Sequence, residues 1–498
     1  MFIEALEKEM NKSITENGAL GYKTTKHEIV DFNFKVASYR NKTEEEIKAD
    51  FKKVWGENKE LALKYLFYVR DVREGLGERR LFRICIKEIL NELDKRVFDW
   101  IVEMGRCDDL FVFIGTKLQR KLIDYITKQL AEDYRNMKEG KPISLLSKWM
   151  PSVNTSSKET KKLAKIIICE WKKISPQVNE KEYRHMLSEL RSYLDVIEKK
   201  MCSQKYSEIN YETVPSQANL KYKDAFLKHD ETRRKEYLES LEKGEAKINS
   251  SVLFPHDIVH KYMLSNYSLK RKDTALEAMW KGLPDYVKGN CNTLVVRDGS
   301  PSMTCNVGGT STSALQVATA LSIYFSERAK GEFKDKFITF SSRPKFVDLH
   351  NLSSLHDKLE ECYRYNDCSN TNIEKTFNLI LDVAVKNNLK QEDIPNLLII
   401  SDMEFDNAES YYRNDTKLFN VISAKFKAQG YEMPKLIFWN VNSRTNTIPL
   451  TQNKNGVILV SGFSPAITKM VLSEQTDPYQ ALVEQLMSER YSKITLQK

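Results

Sequence analysis

Two short stretches in the second half of this 498-residue chain, Thr293-Leu-Val-Val-Arg-Asp-Gly-Ser-Pro-Ser302 and Asn396-Leu-Leu-Ile-Ile-Ser-Asp402, have the same pattern. Each is an apolar run that ends in polar residues, which is typical of a buried β-strand followed by a loop. Helical patterns lie between and after them, and strands that alternate with helices form a mostly parallel sheet covered on both faces. Because ligands of such sheets bind beyond the carboxyl ends of the strands, the loops after Val296 and Ile400 are the first candidates for a functional site.

The part before residue 290 has a different pattern, because apolar residues recur there at helical spacing and no convincing strand alternation appears. Helices are predicted at 59–72, 81–93, 117–134, 159–173, 180–200 and 222–242, with a long loop at 203–220. Strands are predicted at 293–296, 336–340, 345–349, 396–400, 436–439 and 457–460. We therefore predict an α + α/β chain, with an all-α, HEAT-like helical array over residues 1–289 and a doubly wound α/β domain over residues 290–498.

Charge is distributed unevenly between these two parts. The net charge is +9, and residues 1–290 carry all of it, with 55 Lys+Arg against 46 Asp+Glu. An anionic partner of the helical part is one explanation, and a lysine-rich solvated surface without any ligand is the other.

Composition excludes several classes of protein. With 41% hydrophobic and 30% charged residues, the chain is not disordered throughout. No apolar run approaches 18 residues and the first residues do not resemble a signal peptide, so neither a membrane partner nor secretion is expected. Eight cysteines without a C-x-x-C pair indicate neither a zinc site nor a disulfide framework, which favours a reducing cytoplasm.

Carboxylates and hydroxyls are concentrated in the loops that follow the predicted strands. Asp298, Ser300 and Ser302 follow the first strand, Asp402 follows a later one, and the loop 366–372 precedes a helix predicted at 373–386. Hard oxygen ligands of this kind suit Mg²⁺ or Mn²⁺. The alternative for D-G-S-P-S alone is an ordinary turn, because Gly and Pro favour turns without any metal.

The order of these residues resembles the metal-ion-dependent adhesion site of von Willebrand factor A domains, which have Asp-x-Ser-x-Ser, a later loop Thr and a strand-ending Asp. The resemblance implies a Mg²⁺, Mn²⁺ or Ca²⁺ ion held by Asp298, Ser300, Ser302, Thr371 and Asp402. The alternative is a relic of the fold that binds no metal. Arg297 departs from the usual pattern of such sites, and we expect it to weaken cation affinity.

A basic helical part followed by such a domain resembles the Ro autoantigen, or TROVE, architecture, and more closely a Ro-like family of uncharacterised proteins. The stretches that carry this resemblance are Tyr68–Arg80, Gly105–Leu110, Lys148–Ser152, Val214–Ser216 and Ser488–Ser492. In Ro proteins the helical repeats form a ring that holds RNA. The resemblance therefore implies a ring-shaped helical part and a non-coding RNA as partner, in a ribonucleoprotein.

Basic residues of the helical part form two candidate RNA-binding clusters. The first comprises Arg70, Arg73, Arg79, Arg80 and Arg83, and the second comprises Arg184, His185, Arg191, Lys221 and Lys223. For the first, ion pairs with the interleaved Asp71, Glu74 and Glu78 are an equally good explanation. Tyrosines near the second, at 183, 193, 206, 211 and 222, could stack on bases, although tyrosines at such spacing more often pack between helices. RNA binding requires both clusters on one connected surface.

Three functions follow from these observations. The leading hypothesis is an RNA-binding protein whose second domain holds a divalent cation. The alternative is a protein-interaction scaffold that uses the cation to capture an acidic side chain of a partner, without RNA. We find no catalytic set of residues, so a metal-dependent hydrolase is the least favoured of the three and no enzyme activity is predicted.

Overall fold

A computed structural model of the chain describes residues 3, 6, 10–265, 268–287, 292–340, 343–365, 372–407 and 417–496. These residues form a mixed α/β structure. Helices dominate the part before residue 290, called the helical part below, and a six-stranded sheet lies in the part after it, called the α/β part.

The helical part contains fourteen α-helices among its described residues. They are α1 (Glu28–Phe34), α2 (Glu44–Glu57), α3 (Lys59–Arg70), α4 (Arg79–Glu88), α5 (Val97–Met104), α6 (Gln119–Lys138), α7 (Leu146–Trp149), α8 (Lys158–Lys172), α9 (Glu180–Tyr193), α10 (Ile197–Cys202), α11 (Ser216–His229), α12 (Glu231–Glu242), α13 (Pro255–Tyr262) and α14 (Thr274–Lys281). Side chains fix the start of several: Thr43 and Glu46 form a capping box at α2, and Ser157 accepts a hydrogen bond from the Thr160 amide at α8.

The helical part differs from the sequence expectation in several places, one of which is the predicted helix over 222–242, divided at Asp230 into α11 and α12. The predicted helix over 180–200 is divided into α9 and α10, since Asp195 turns the chain with a left-handed φ of 52°. Helix α11 begins at Ser216, inside the segment predicted as a loop. The expectation of no strands before residue 290 is wrong, because two hairpins occur there, β1 (Lys12–Ile14) with β2 (Leu20–Tyr22) and β3 (Met263–Ser265) with β4 (Ser268–Leu269). Strands of two or three residues are too short to show an alternating pattern.

The α/β part is built on a sheet whose strands are mostly parallel. Its strands are β5 (Thr293–Asp298), β6 (Lys336–Phe340), β7 (Lys345–Asp348), β8 (Asn396–Ser401), β9 (Leu436–Asn440) and β10 (Val457–Ser461). Their order across the sheet is β10-β9-β8-β5-β6-β7, and only β7 runs antiparallel to its neighbour. Strands β9 and β10 are buried along their whole length, as expected of strands covered on both faces.

Helices cover this sheet. They are α15 (Ala314–Arg328), α16 (Leu355–Arg364), α17 (Ile373–Lys386), α18 (Leu418–Ala428), α19 (Thr468–Val471) and α20 (Pro478–Leu486). Residues 314–326 of α15 are buried on every side, because that helix packs between the sheet and α13 of the helical part. None of the described helices combines the length and the apolar character needed to cross a membrane.

The order of the strands creates a switch point between β5 and β8. From β5 the chain continues to β6 and β7 on one side, and from β8 it continues to β9 and β10 on the other. The loops that follow these two strands therefore diverge and leave a crevice at the carboxyl edge, where sheets of this kind bind ligands. Asp298 and Ser401 end the two strands, so the polar residues identified from the sequence lie at this edge.

The two parts are interlocked at both ends of the chain. Tyr22 of β2 exchanges backbone hydrogen bonds of 2.8 and 2.9 Å with Ile448 of the α/β part, and α1 packs on β10. In return, Asp71, which follows α3, accepts hydrogen bonds from Arg490 and Tyr491 near the other end of the chain. Contacts between residues more than 400 positions apart thus tie the helical part to the sheet.

Candidate functional site

Five oxygen-bearing side chains meet where β5 ends. Asp298 is fully buried, and its two carboxylate oxygens accept hydrogen bonds from the Ser300 amide at 2.9 Å and from Ser401 Oγ at 2.6 Å. The hydroxyls of Ser300 and Ser302 lie 3.0 Å apart, and Ser302 also hydrogen-bonds Asp402. The structure therefore brings four of the five predicted metal ligands together, and the fifth, Thr371, lies outside the described residues.

A guanidinium that the sequence did not point to lies beside this cluster. Arg444 Nη1 is 3.1 Å from Asp402 Oδ2, and the same guanidinium forms an ion pair with Glu16 of the helical part. Asp402 is fully buried, whereas 30% of the Arg444 side chain is exposed. Arg444 thus supplies positive charge to one of the two carboxylates from the solvent side.

Both buried carboxylates have a pKa above their ordinary value. Burial and the negative charge of Asp402 raise the pKa of Asp298 to about 7, and burial raises the pKa of Asp402. Two desolvated carboxylates that repel each other, with two hydroxyls between them, fit a divalent cation, whose charge would relieve the repulsion. Arg444 partly fulfils that role already, so a cation has to compete with it for Asp402.

Two neighbours of the cluster have structural roles. Arg297 points to the face of β5 opposite Asp298, where it donates to Thr319 Oγ1 at 3.1 Å and to the Cys362 carbonyl at 3.4 Å. The nearby charge that we expected to weaken a cation site comes instead from Arg444. Glu404 accepts hydrogen bonds from the backbone amides of residues 16, 444 and 445, so it organises the loops around the cluster.

A second group of possible ligand atoms lies on α16. His356, Asp357 and Glu360 offer one ligand atom each within 4.8 Å of one another. His356 Nε2, however, is 3.0 Å from the Lys270 carbonyl oxygen. Ser354 Oγ accepts a hydrogen bond from the Asp357 amide and so caps the start of α16. One of the three possible ligands, His356, is therefore already engaged by a protein group.

The first arginine cluster is largely an ion-pair network, but its carboxylates are not the expected ones. Asp109, fully buried, accepts from Arg70 Nε at 2.7 Å and from Arg83 Nε at 2.6 Å. Asp108 pairs with Arg106 at 2.5 Å and with Arg83 at 3.0 Å. The stretches Tyr68–Arg80 and Gly105–Leu110 are therefore joined by buried and half-buried salt bridges.

The remaining members of that cluster also bind protein groups. Arg79 lies 3.8 Å from Asp108, Arg73 donates to the Glu103 carbonyl at 3.3 Å, and Arg80 donates to two backbone carbonyls at 2.9 Å. The acids that we expected to neutralise the cluster are engaged elsewhere: Asp71 binds Arg490, Glu74 binds Lys469 and Glu78 binds Arg40.

The second cluster opens onto a groove of about 1570 Å³ between α7, α8, α9, α10 and α11. Its lining holds seven cationic side chains and two carboxylates: Arg83, Lys148, Lys181, Arg184, Arg191, Lys199 and Lys221, with Asp108 and Glu198. His185, Trp149 and Phe111 also line it. Arg83 and the second cluster thus share one surface, which the sequence could not establish.

Six of these seven cations have no carboxylate partner among the described residues, and two of the six, Arg191 and Lys199, donate to carbonyl or hydroxyl oxygens of the protein instead. The other four are Lys148, Lys181, Arg184 and Lys221. Asn154 lies beside the Arg184 guanidinium, and with its amide turned so that the oxygen faces the guanidinium, that oxygen accepts from Nε at 3.2 Å and from Nη2 at 2.9 Å. The guanidinium is therefore oriented while its charge stays uncompensated. We name this set of four the groove cations.

Other predicted residues maintain the shape of the groove. Arg191 donates to the carbonyls of Ser147 and Met150, and Lys223 forms salt bridges with Asp224 and Asp273. His185 is exposed and lies 3.3 Å from Glu189. The tyrosines at 183, 206 and 211 are buried, which favours packing over base stacking.

The sequence prediction missed Lys148, Trp149 and Lys181. Trp149 lies half-buried in the groove with the Arg106 guanidinium 4.1 Å from its ring centre. The stretch Lys148–Ser152 had been noted for its resemblance alone, and the weak signal that it contained was a tryptophan beside a lysine in a basic region.

Comparison with known proteins gives a family without an assigned chemistry. A family model described as a domain of unknown function, DUF2828, matches residues 15–90 and 117–292, and a second such model, DUF7788, matches residues 292–495. An uncharacterised protein of Acanthamoeba polyphaga mimivirus, L728, is 29% identical over 517 residues, which cover 96% of this chain and 87% of the relative. The expected membership of the Ro or TROVE family is wrong, because no model of that family matches. Since the first model covers half of its residues, this chain belongs to the DUF2828 family.

Proposed function

We propose that this protein binds RNA in the groove of its helical part. The observation that carries the proposal is the excess of seven cations over two carboxylates in one open groove, with six of the cations lacking an ion-pair partner among the described residues. RNA carries one negative charge per phosphate, so it gains both long-range attraction and the release of counter-ions when it enters such a groove.

Single-stranded segments of RNA suit the groove best. Trp149 and His185 offer ring faces beside the cations, and stacking on aromatic rings accepts any base. Lysines bind phosphates as point charges, whereas Arg184, oriented by Asn154, can present two N–H groups to one phosphate. These contacts favour affinity for the backbone over recognition of a sequence.

The finer architecture is part of the same proposal. The helical part is a HEAT-like array, and the sheet, with its order β10-β9-β8-β5-β6-β7 and antiparallel β7, is of the von Willebrand A type. The buried oxygen cluster at its carboxyl edge supports a Mg²⁺ ion held by Asp298, Ser300, Ser302 and Asp402, with Thr371 as a further ligand. A second candidate function, capture of a partner protein's carboxylate by this ion, is favoured by the position of the cluster at the switch point of the sheet.

The test is a fluorescence-anisotropy titration with a labelled single-stranded RNA of about 20 nucleotides at several salt concentrations. Wild-type affinity should fall as salt rises, with a log–log slope of about −3 for four phosphate contacts at ~0.7 each. The R184Q/K221Q variant should bind about tenfold more weakly and reduce the slope by about 1.4, because two of the groove cations are gone.

Two control variants distinguish the groove from general charge effects. K386Q/K427Q removes two exposed lysines of the α/β part, for which the described residues give no ion pair, and should retain the wild-type affinity. D298A should also bind RNA like the wild type, because the cation site is not in the groove. If R184Q/K221Q binds like K386Q/K427Q, RNA does not occupy the groove. If D298A or chelation abolishes recovery of a partner protein and purified protein carries no RNA, the second function replaces the first.

A further inference from the structure

One face of α8 carries a row of lysines that the groove does not include. Lys158, Lys161, Lys162 and Lys165 are exposed and recur at the i, i+3, i+4 and i+7 spacing of a single helix face. Within the described parts of the chain, none of the four has an ion-pair partner. We call these residues the lysine row. Like charges at this spacing destabilise a helix slightly, so helix stability does not explain them.

The lysine row adjoins the groove through the helix that carries it. Thr160 and Leu163 of the same helix line the groove, whereas the four lysines line a separate shallow depression of about 450 Å³. The row extends over seven residues, or about 10 Å along the helix axis at 1.5 Å per residue. At 3.6 residues per turn the four lysines lie on the face of α8 opposite Thr160 and Leu163, so a strand that leaves the groove has to cross the helix, about 10–12 Å in diameter, to reach the row.

We propose that the lysine row binds the phosphates of the same RNA strand where it leaves the groove, so that the binding track extends beyond the groove. This inference rests on the proposed function. It predicts that only strands longer than the groove gain from the row. Because lysine is a mobile point charge, the contribution should be independent of sequence and strongly dependent on salt.

An anionic membrane is the other polyanionic surface that such a row could meet, and the structure disfavours it. Helices that lie on membranes insert their apolar face into the lipid. The apolar face of α8, with Ala164, Ile167 and Trp171, is buried inside the protein instead. The row would thus have electrostatic attraction alone, whereas RNA already held in the groove is supplied to it at high local concentration.

The experiment compares two lengths of single-stranded RNA, about 5 and about 20 nucleotides, in anisotropy titrations over a salt series. The variant K158Q/K161Q/K162Q/K165Q should bind the long strand at least tenfold more weakly at low salt and reduce its log–log slope by up to about 3. Its affinity for the short strand should equal that of the wild type. The variant K158R/K161R/K162R/K165R keeps the charge and should restore binding of the long strand.

A charge-matched control is K386Q/K390Q/K427Q/K454Q, which removes four exposed lysines of the α/β part. If the row variant binds both lengths like this control while R184Q/K221Q weakens both, the inference is overturned and the groove proposal stands. If R184Q/K221Q also binds both lengths like the control, the proposed function is wrong, and the inference, which rests on it, is wrong as well. If the row variant loses binding to phosphatidylserine vesicles but keeps full affinity for long RNA, the row is a membrane surface and the inference is wrong.

Discussion

The groove of the helical part and the carboxyl edge of the sheet each contain several charged side chains, but the two regions differ in how far these side chains are exposed and paired. In the groove, cations such as Lys181 and Lys221 are exposed and lack a carboxylate partner among the described residues. At the edge of the sheet, Asp298 and Asp402 are fully buried and surrounded by hydroxyls, amides and Arg444. Exposed charges without partners remain available to a large polyanion, whereas buried charges with many partners can accept only a small ion in a defined geometry.

This difference also separates the two kinds of arginine in the helical part. Arg70 is 2% exposed and paired with Asp109, so it maintains the fold, whereas Arg184 is held by a neutral amide. Arginines of similar appearance in the sequence therefore have different functions, and burial together with the partner distinguishes them.

The largest effect on stability is expected when a buried ion pair is broken. In the D109A variant, Arg70 and Arg83 lose the carboxylate to which they donate at 2.7 and 2.6 Å. The free energy of unfolding should fall by about 3–5 kcal/mol, because a buried guanidinium is left without its partner. Urea denaturation followed by circular dichroism measures the change.

The matched control is D224N, which alters an exposed aspartate paired with Lys223. Its unfolding free energy should change by no more than about 0.5 kcal/mol. Equal stability of the two variants would show that the network around Asp109 does not hold the helical part together.

The next largest effect is a pH dependence of stability that arises at the boundary between the helical part and the α/β part. His256 is buried between Phe254 and Phe463, and burial lowers its pKa from 6.5 to about 4. Between these two pH values the unfolded chain binds a proton that the folded chain does not, so stability should fall as the pH is lowered, by up to about 3 kcal/mol.

Burial raises the pKa of Asp298 to about 7, so protonation of Asp298 stabilises the fold over the same pH range, and the contribution of His256 is the difference between the wild type and H256Q. Urea titrations at pH 7 and pH 4.5 should show a change in the free energy of unfolding that is less unfavourable in H256Q than in the wild type. The variant H185Q, in which an exposed histidine is replaced, should lose as much stability as the wild type. An equal loss in H256Q would contradict the assignment of the acid sensitivity to this buried ring.

The smallest effect is expected on cation affinity at the carboxyl edge of the sheet. In R444Q, the positive charge 3.1 Å from Asp402 is removed, so a divalent cation no longer competes with a guanidinium. Mn²⁺ affinity, measured by isothermal titration calorimetry, should rise about tenfold, which corresponds to about 1.4 kcal/mol.

R364Q provides the control, because it removes an exposed arginine of the α/β part that pairs with Glu361. Its Mn²⁺ affinity should match the wild type. Weaker Mn²⁺ binding in R444Q than in the wild type would indicate that Arg444 supports the cation site.

Much of the fold was predictable because its signals are local. The predicted strand 396–400 and helix 373–386 agree with β8 and α17 to within one residue. The meeting of Asp298 and Asp402 was predictable as well, since the rule that polar residues follow the carboxyl ends of parallel strands needs only the order of elements. The two hairpins before residue 290 were not, because their strands are too short for a pattern.

The partners of the charges were not predictable from local spacing. Asp71, Glu74 and Glu78 lie among the first arginines in the sequence, yet each binds a cation from another segment. Arg444 is 42 positions from Asp402, and nothing in its own neighbourhood indicates that it lies beside a strand-ending aspartate.

The sequence by itself determined the helical periodicity, the alternation of strands and helices after residue 290 and the location of the excess charge, because each is a property of neighbouring residues or of composition. Only the tertiary structure decided which cations are neutralised and which remain free. An ion pair depends on the approach of side chains that lie far apart along the chain, and Glu16 with Arg444, separated by 428 positions, is the extreme case among the described residues. The basic groove exists because the tertiary contacts of α7 to α11 leave six cations together without a carboxylate partner among the described residues.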